Sequence, residues 1–172
     1  METELIIEGC GFPPFSARGC QQELSQVEQG AFRRTVNGQL TYLGPKNHKY
    51  RSIIRCEDKV TLVTEGVLAR GQVVRIGCLQ RLWQQVNVEA ASGPVTLERE
   101  AVAGSVGCLD AFQKSVDVRV VDAKTVEVMM ACAAGDVFIS YRPWLSMRVI
   151  SLALHTDEWG LKAGWRLELE EV

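Results

Sequence analysis

Several features that define common classes of protein are missing from this sequence of 172 residues. It has no run of about 18 apolar residues, so we expect no membrane-spanning helix and no membrane partner. The first residues, Met1 to Glu8, are acidic and lack the basic and apolar regions of a signal peptide. We therefore expect a protein that stays in a cytoplasm or leaves the cell without a secretion signal.

Motifs for catalysis and nucleotide binding are missing as well. There is no Gly-x-Ser-x-Gly elbow and no phosphate-binding loop, and two prolines after Gly9-Cys-Gly11 block the helix that a dinucleotide fingerprint must open. The best candidate for a general base is His155, near Asp157 and Glu158, but residues of a polar turn are usually solvated. We predict a protein that is not an enzyme and binds no cofactor.

The six cysteines are widely spaced and form no Cys-x-x-Cys pair. Neither histidine lies at a zinc-ligand spacing from them, so we predict no metal site. We interpret them as free thiols that pack as small hydrophobes, with Cys78 and Cys132 inside apolar strand patterns. A disulfide between Cys10 and Cys20 is the alternative.

The composition is that of a globular domain. Hydrophobic residues make up 47% of the chain and charged residues 23%, and the formal net charge is -2. Such a balance excludes a disordered tail and gives no overall attraction to nucleic acid. We predict one β-rich domain over residues 1–172, with a weak subdivision near 89–115.

Alternation of apolar and polar residues, interrupted by turn residues, predicts an all-β fold. Asn37-Gly38 favours a two-residue type I′ turn in a hairpin over Phe32–Leu43. Two further hairpins are predicted, one over Val116–Met129 and one over Leu145–Glu170. The expected architecture is a sandwich or barrel of antiparallel hairpins with at most one short helix.

Three segments are less clear. Cys20–Val27 fits a strand or a short helix, and the prolines of Phe12-Pro-Pro14-Phe15 favour an extended chain. Residues 89–115 are predicted to be a loop, with a possible short helix at Leu97–Val102 because helix formers are frequent there.

The four tryptophans suggest an interaction surface. Trp83 and Trp165 fit strand patterns and are predicted to lie in the core. Trp144 and Trp159 stand at strand ends, where a large aromatic either folds over the core or is held out for a partner. The predicted interface residues are Arg142, Pro143, Trp144, Asp157, Glu158 and Trp159.

A basic cluster around Tyr50 leaves a second possibility open. It comprises Lys46, His48, Lys49, Arg51 and Arg55, and would suit an OB-like barrel that binds nucleic acid. Glu57 and Asp58 follow at once, so we interpret the cluster as a solvated strand face and do not expect nucleic acid as a partner.

Six segments taken together resemble a small structural protein of tailed bacteriophages, encoded among the tail-tip and baseplate genes. They are Gly11–Gly19, Arg33–Leu40, Lys49–Cys56, Tyr141–Pro143, Thr156–Gly160 and Leu167–Val172. The resemblance implies a minor tail protein, similar in role to distal tail proteins, that forms a homo-oligomeric ring and joins the tail tube to hub or fibre proteins. It implies no catalytic residues, assembly in the host cytoplasm and a final place in the virion tail. A head-tail joining or tail-completion protein is the alternative.

Overall fold

The computed structural model describes residues 3–27, 30–44, 48–62, 68–88, 93–129, 135–159 and 162–172. Every regular element in these residues is a β-strand, and the pairing is antiparallel, so the predicted all-β fold is confirmed. In chain order the strands are β1 (Ile6–Ile7), β2 (Gln21–Gln26), β3 (Ala31–Arg34), β4 (Leu40–Leu43), β5 (Tyr50–Asp58), β6 (Val73–Gly77), β7 (Leu82–Val88), β8 (Pro94–Thr96), β9 (Gly107–Asp110), β10 (Ser115–Val116), β11 (Val118–Val120), β12 (Thr125–Val128), β13 (Gly135–Tyr141), β14 (Trp144–Thr156) and β15 (Ala163–Glu171).

The chain divides into two compact units. Unit 1 comprises Met1–Thr3, Gly9–Val74 and Ser146–Val172, and unit 2 comprises Glu4–Glu8 and Arg75–Leu145. The predicted subdivision near residues 89–115 lies within the range of unit 2. A single domain over the whole chain stays a prediction.

Unit 1 is built on a sheet in which β14, β15, β5 and β2 lie side by side in that order. Alternation along β15 buries Ala163, Trp165, Leu167 and Leu169, as predicted for the last hairpin; Leu161, the predicted first residue of that strand, lies outside the described residues. The indole Nε1 of Trp165 donates a 2.8 Å hydrogen bond to the backbone oxygen of Ser16. The largest aromatic of this core is therefore both buried and fixed in direction.

Unit 2 contains a four-stranded sheet, β10-β9-β13-β7, and a three-stranded sheet, β11-β12-β8. The hairpin of β11 and β12 confirms the second predicted hairpin, with Val118 opposite Val128. Side chains from both sheets form one hydrophobic cluster, as in a β-sandwich. Its buried members are Leu97, Ala101, Cys108, Val126, Val128, Val137, Ile139 and Tyr141.

The first predicted hairpin is present, but the predicted turn type is wrong. Arg34 pairs with Leu40, and the backbone N–H of Thr35 donates to the oxygen of Gln39, which leaves three residues in the loop. Gly38 donates back to the oxygen of Thr35 and has a φ of 79°, whereas Asn37 is not among the residues with positive φ. This is a type I turn followed by a left-handed glycine, the usual three-residue hairpin loop.

The prediction of a loop with a short helix in residues 89–115 is wrong for the described part of that segment. Strands β8 and β9 and the first residue of β10 lie there, and residues 97–102 form no helix. The backbone N–H groups of Leu97 and Ala101 donate to the oxygens of Lys124 and Ala123, and that of Arg99 donates to the hydroxyl of Tyr141. Because these donors bond to the turn between β11 and β12 and to β13, they are not available for the bonds of a helix turn.

Two local predictions about aromatic residues are also wrong. Pro14 and Phe15 form a turn, closed by the N–H of Ser16 on the oxygen of Pro13, and Phe15 has a φ of 66° in place of an extended backbone. Trp83 is 58% exposed on β7, because it alternates to the face that carries Gln85 and Asn87. Cys20–Val27, in contrast, contains strand β2 and no helix.

The cysteines that the structure describes are all free thiols, as expected. They are Cys10, Cys20, Cys56, Cys78 and Cys108, and the last three are buried. The alternative disulfide between Cys10 and Cys20 is not formed. Cys132 lies outside the described residues.

Candidate interaction surfaces

The most exposed apolar feature of unit 1 is the hairpin of β3 and β4, which we call the arm (residues 31–43). All eight of its strand residues are exposed, so neither face of this two-stranded ribbon is covered. Phe32 is 69% exposed and Val36, at the tip, is fully exposed. Leu40, Tyr42 and Leu43 complete its set of exposed apolar side chains. The register puts Phe32, Leu40 and Tyr42 on one face of the ribbon and Leu43 on the other.

An aromatic pair lies at the base of the arm. Phe32 and Tyr42 are directly opposite each other, and their ring centroids are 5.2 Å apart at an angle of 50°. Together with Gln26, Val27, Gly30 and His48 they line an open cleft of about 330 Å³. The ring of Tyr42 lies over Gly30 and Gly44, where a Cβ atom would overlap it. Both glycines are therefore needed for the rings to pack in this way.

The turn residues and alternation of residues 32–43 predict a hairpin but do not identify it as an interaction surface. A signal was available in the charges: residues 29–56 contain six Lys and Arg and no Asp or Glu. The remainder of the chain holds thirteen Lys and Arg against 21 Asp and Glu. The arm thus carries positive charge and apolar surface, while the rest of the molecule carries the negative excess.

The basic strand that suggested nucleic-acid binding is occupied by contacts within unit 1. The guanidinium of Arg51 pairs with the carboxylate of Glu168 at 3.0 Å, and the backbone N–H of Tyr50 donates to Glu171 at 3.0 Å. Tyr50 is only partly exposed, so it is not presented as a stacking platform. Lys46 lies outside the described residues. These contacts involve two residues of the cluster, while His48, Lys49 and Arg55 are exposed.

The first predicted interface triplet, Arg142 to Trp144, is tied into unit 2. The side chain of Arg142 is 12% exposed; its Nε donates to the oxygen of Cys78 at 2.7 Å and its Nη1 bonds to Glu4 at 2.9 Å. Pro143 bridges to Ala101, and its oxygen accepts from the N–H of Cys78. These bonds give the triplet a structural role, and an interface role for it stays a prediction.

The ring of Trp144 is covered by a cation. The guanidinium carbon of Arg75 lies 4.7 Å from the ring centroid, and Arg75 also forms an ion pair with Glu100. Glu100 accepts in turn from the backbone N–H of Trp144 through its own backbone oxygen. Trp144 is therefore held by its own unit on the ring face that Arg75 covers.

The second triplet, Asp157 to Trp159, belongs to unit 1 and lies in the turn after β14. Asp157 closes the turn, since its carboxylate and its N–H both bond to the backbone of Lys162, each at 3.2 Å. Glu158 is exposed and Trp159 is 82% exposed. The alternative in which Trp159 folds over the core is wrong. Gly160, the predicted positive-φ residue of this turn, lies outside the described residues.

Strand β2 ends the sheet of unit 1, and within the described residues no strand pairs with its outer edge. Its sequence, Gln-Gln-Glu-Leu-Ser-Gln, is polar on the exposed side, with Leu24 and Gln22 partly buried. A polar edge resists indiscriminate pairing but still offers backbone groups to a partner strand.

His155 is the residue that the sequence offers as a general base. His155 is exposed on β14, and its imidazole lies against Gly164 of the neighbouring strand. In the part of the chain that the structure describes, no group of three His, Cys, Asp or Glu residues is placed to hold a metal ion. A search of the same residues found no helix with the length and apolarity needed to span a membrane.

Unit 1 thus presents the arm, the edge of β2 and the exposed Trp159, whereas Arg142 to Trp144 are held by unit 2 itself. Comparison with protein-family models, with curated proteins and with solved structures found no significant match to this chain.

Proposed function

We propose that this protein is a non-enzymatic structural component of a bacteriophage tail tip, which assembles as a ring and joins the tail tube to hub or fibre proteins. The proposal rests on the resemblance of six sequence segments and on one structural observation. That observation is the arm, a two-stranded ribbon with both faces exposed. An isolated two-stranded hairpin is marginally stable in water, so the arm gains stability when a partner covers it.

A second copy of the chain is the partner that best fits the arm. The arm itself carries Arg33 and Arg34 and no acidic residue, whereas the chain as a whole has 21 Asp and Glu against 19 Lys and Arg. A contact between the arm of one copy and a different, acidic surface of the next copy would be head-to-tail. Such contacts close into a ring when the rotation between copies allows it.

Charged substitutions in the arm test this assembly directly. Full-length wild type and a Phe32→Glu/Leu40→Glu variant are compared by mass photometry and negative-stain microscopy, alone and with the neighbouring tail proteins. We expect rings for the wild type and monomers for the variant. Phe112→Glu is the matched control, because Phe112 is 83% exposed in unit 2 outside the arm. We expect this variant to form rings as the wild type does.

Repeating the measurement at increasing ionic strength tests how much charge pairing contributes to ring assembly. Pairing between exposed charges weakens as salt shortens the screening length, so rings dissociate more readily at high salt. A wild-type protein that stays monomeric at every concentration and joins none of the tail proteins contradicts the proposal. Partners at the head-tail joint in place of the tail tip support the head-tail joining alternative.

Nucleic-acid binding is the weaker candidate, because Arg51 and Tyr50 already bond to Glu168 and Glu171. A salt titration with single-stranded DNA decides it, since binding through phosphates weakens steeply with salt. We expect no measurable binding even at low ionic strength.

A further inference from the structure

Two free thiols face each other where the chain enters β2 beside β5. The register pairs Gln21 with Arg55, and continuing it by one residue places Cys20 opposite Cys56. The N–H of Val27 donates to the oxygen of Lys49, so that pair is hydrogen-bonded. Hydrogen-bonded and non-hydrogen-bonded pairs alternate along an antiparallel ladder, which puts Cys20 and Cys56 at a non-hydrogen-bonded position.

This position suits a cross-strand disulfide. Opposite Cα atoms at non-hydrogen-bonded positions are about 4.5 Å apart, within the range of roughly 4.4–6.8 Å that disulfides span. The two side chains lie close enough for each thiol to influence the pKa of the other. Each also lies near a backbone oxygen, Cys20 Sγ at 3.1 Å from that of Ala17 and Cys56 Sγ at 3.4 Å from that of Arg18.

The two thiols differ in accessibility. Cys56 is 3% exposed, whereas Cys20 is only partly buried. Burial raises the pKa of the Cys20 thiol, and burial together with the neighbouring Cys20 raises the pKa of Cys56 to about 12. Both thiols are therefore protonated at neutral pH, and Cys20 is the one that a reagent can reach.

We propose that Cys20 and Cys56 form a covalent modification site, at which a low-molecular-weight disulfide such as oxidised glutathione converts the two thiols into one cross-strand disulfide. Cys20 loses its proton and attacks one sulfur of the reagent, which expels a glutathione thiolate. Cys56 loses its proton and attacks the Cys20 sulfur of the mixed disulfide, which expels the second thiolate. The protein gives up two electrons and two protons, and the reagent is reduced to two thiols.

The bond would join β2 to β5 beside the Arg18–Asp58 ion pair and close a covalent loop around the arm. In reducing surroundings the pair stays open, and in oxidising surroundings it closes. The inference depends on the register of two strands and on no part of the proposed assembly. Formation of the disulfide can therefore be tested independently of ring assembly.

The test uses the purified full chain with oxidised glutathione at mildly alkaline pH, followed by blocking of the remaining thiols. Intact mass should show the loss of two hydrogens with no retained glutathione, and non-reducing peptide mapping should give a Cys20–Cys56 linkage. The rate should rise about tenfold for each pH unit below the pKa of the attacking thiol. Reduction should restore the original mass, and the oxidised form should melt several degrees higher than the reduced form, because the closed loop restricts the unfolded chain.

Three single variants make the assignment specific. Cys20→Ser and Cys56→Ser should each abolish the linkage, and Cys10→Ser, the matched control, should leave it unchanged. If Cys56→Ser does not fold, the partly buried Cys20 still supplies the comparison. A stable glutathione adduct on wild-type Cys20, or a linkage that involves Cys10, overturns the inference.

Discussion

The guanidinium of Arg18 donates three hydrogen bonds to the carboxylate of Asp58. Nη2 lies 2.6 Å from Oδ1, and Nε lies 3.2 Å from each of the two oxygens. The backbone N–H groups of Arg18 and Lys59 donate to the same carboxylate at 3.0 and 2.8 Å. The hydrogen bonds from Arg18 hold the pKa of Asp58 well below its usual range. Asp58 thus links two segments of the chain that are 40 residues apart in sequence.

The first prediction concerns Asp58→Asn. At neutral pH it should lower the free energy of unfolding by about 1 kcal/mol, since the pair is partly exposed. The contribution of Asp58 is complete above its unfolded pKa of about 3.9 and is lost as pH falls toward the lower folded pKa. Urea unfolding at several pH values should show the difference from wild type shrinking below about pH 4. A difference that grows on acidification contradicts the assigned bonds.

The second prediction concerns the strained backbone at Phe15, which has a φ of 66° and whose ring lies 4.5 Å from the guanidinium carbon of Arg18. Phe15→Ala loses the ring contact and keeps the strain, whereas Phe15→Gly loses the contact and removes the strain. A left-handed residue other than glycine costs about 1 kcal/mol or more. Phe15→Gly should therefore be more stable than Phe15→Ala by about that amount. Equal midpoints in chemical denaturation would show that the turn relaxes.

The third prediction compares two tryptophans. Trp165→Phe removes the buried N–H that bonds to the oxygen of Ser16 and leaves a small cavity, so it should destabilise unit 1 by roughly 2–3 kcal/mol. Trp83→Phe, on an exposed strand face, is the matched control and should change stability by less than about 0.5 kcal/mol. Thermal unfolding followed by circular dichroism measures both variants. The reverse order of the two effects would disprove the assigned burial.

The fourth prediction concerns the base of the arm. A Cβ on Gly30 would lie 2.6 Å from the backbone oxygen of Leu43, which cannot move without opening the hairpin. Gly30→Ala should increase hydrogen exchange at the arm amides, including those of Arg33 and Leu43. The exchange rates of β15 should be unchanged, because the arm forms its own two-stranded sheet. Gly93→Ala is the control, since a Cβ there meets nothing within 4 Å.

The fold could be predicted from the sequence where its signals are local. Turn residues and alternation locate the last two hairpins, and the alternation of Trp165, Leu167 and Leu169 identifies the buried face of β15. Strand β8 could not be predicted in this way, because it is stabilised by pairing with β12, a segment distant in sequence. In that pairing Val95 lies opposite Val126.

The exposure of Trp83 could have been predicted from the sequence. In the alternation of β7, Leu82 and Val86 lie on one face, and Trp83 lies on the other with the amide side chains of Gln85 and Asn87. Because the more apolar face is the one that packs into the core, this pattern predicts that the indole of Trp83 is exposed. The Cys20–Cys56 pair could not have been predicted from the sequence. It exists only because two strands, separated by the arm, meet in one register out of several possible ones.

The three-residue loop of the arm has a consequence for inherited variation. Pairing Arg34 with Leu40 puts Phe32 and Tyr42 on the same side of the ribbon. With this loop retained, loss of one codon from β4 ahead of Tyr42 would move the later residues of the strand by one place, so that Phe32 would meet Leu43 while Tyr42 turned to the opposite side. Point substitutions at the tip leave this relation intact, whereas a single in-frame deletion abolishes it.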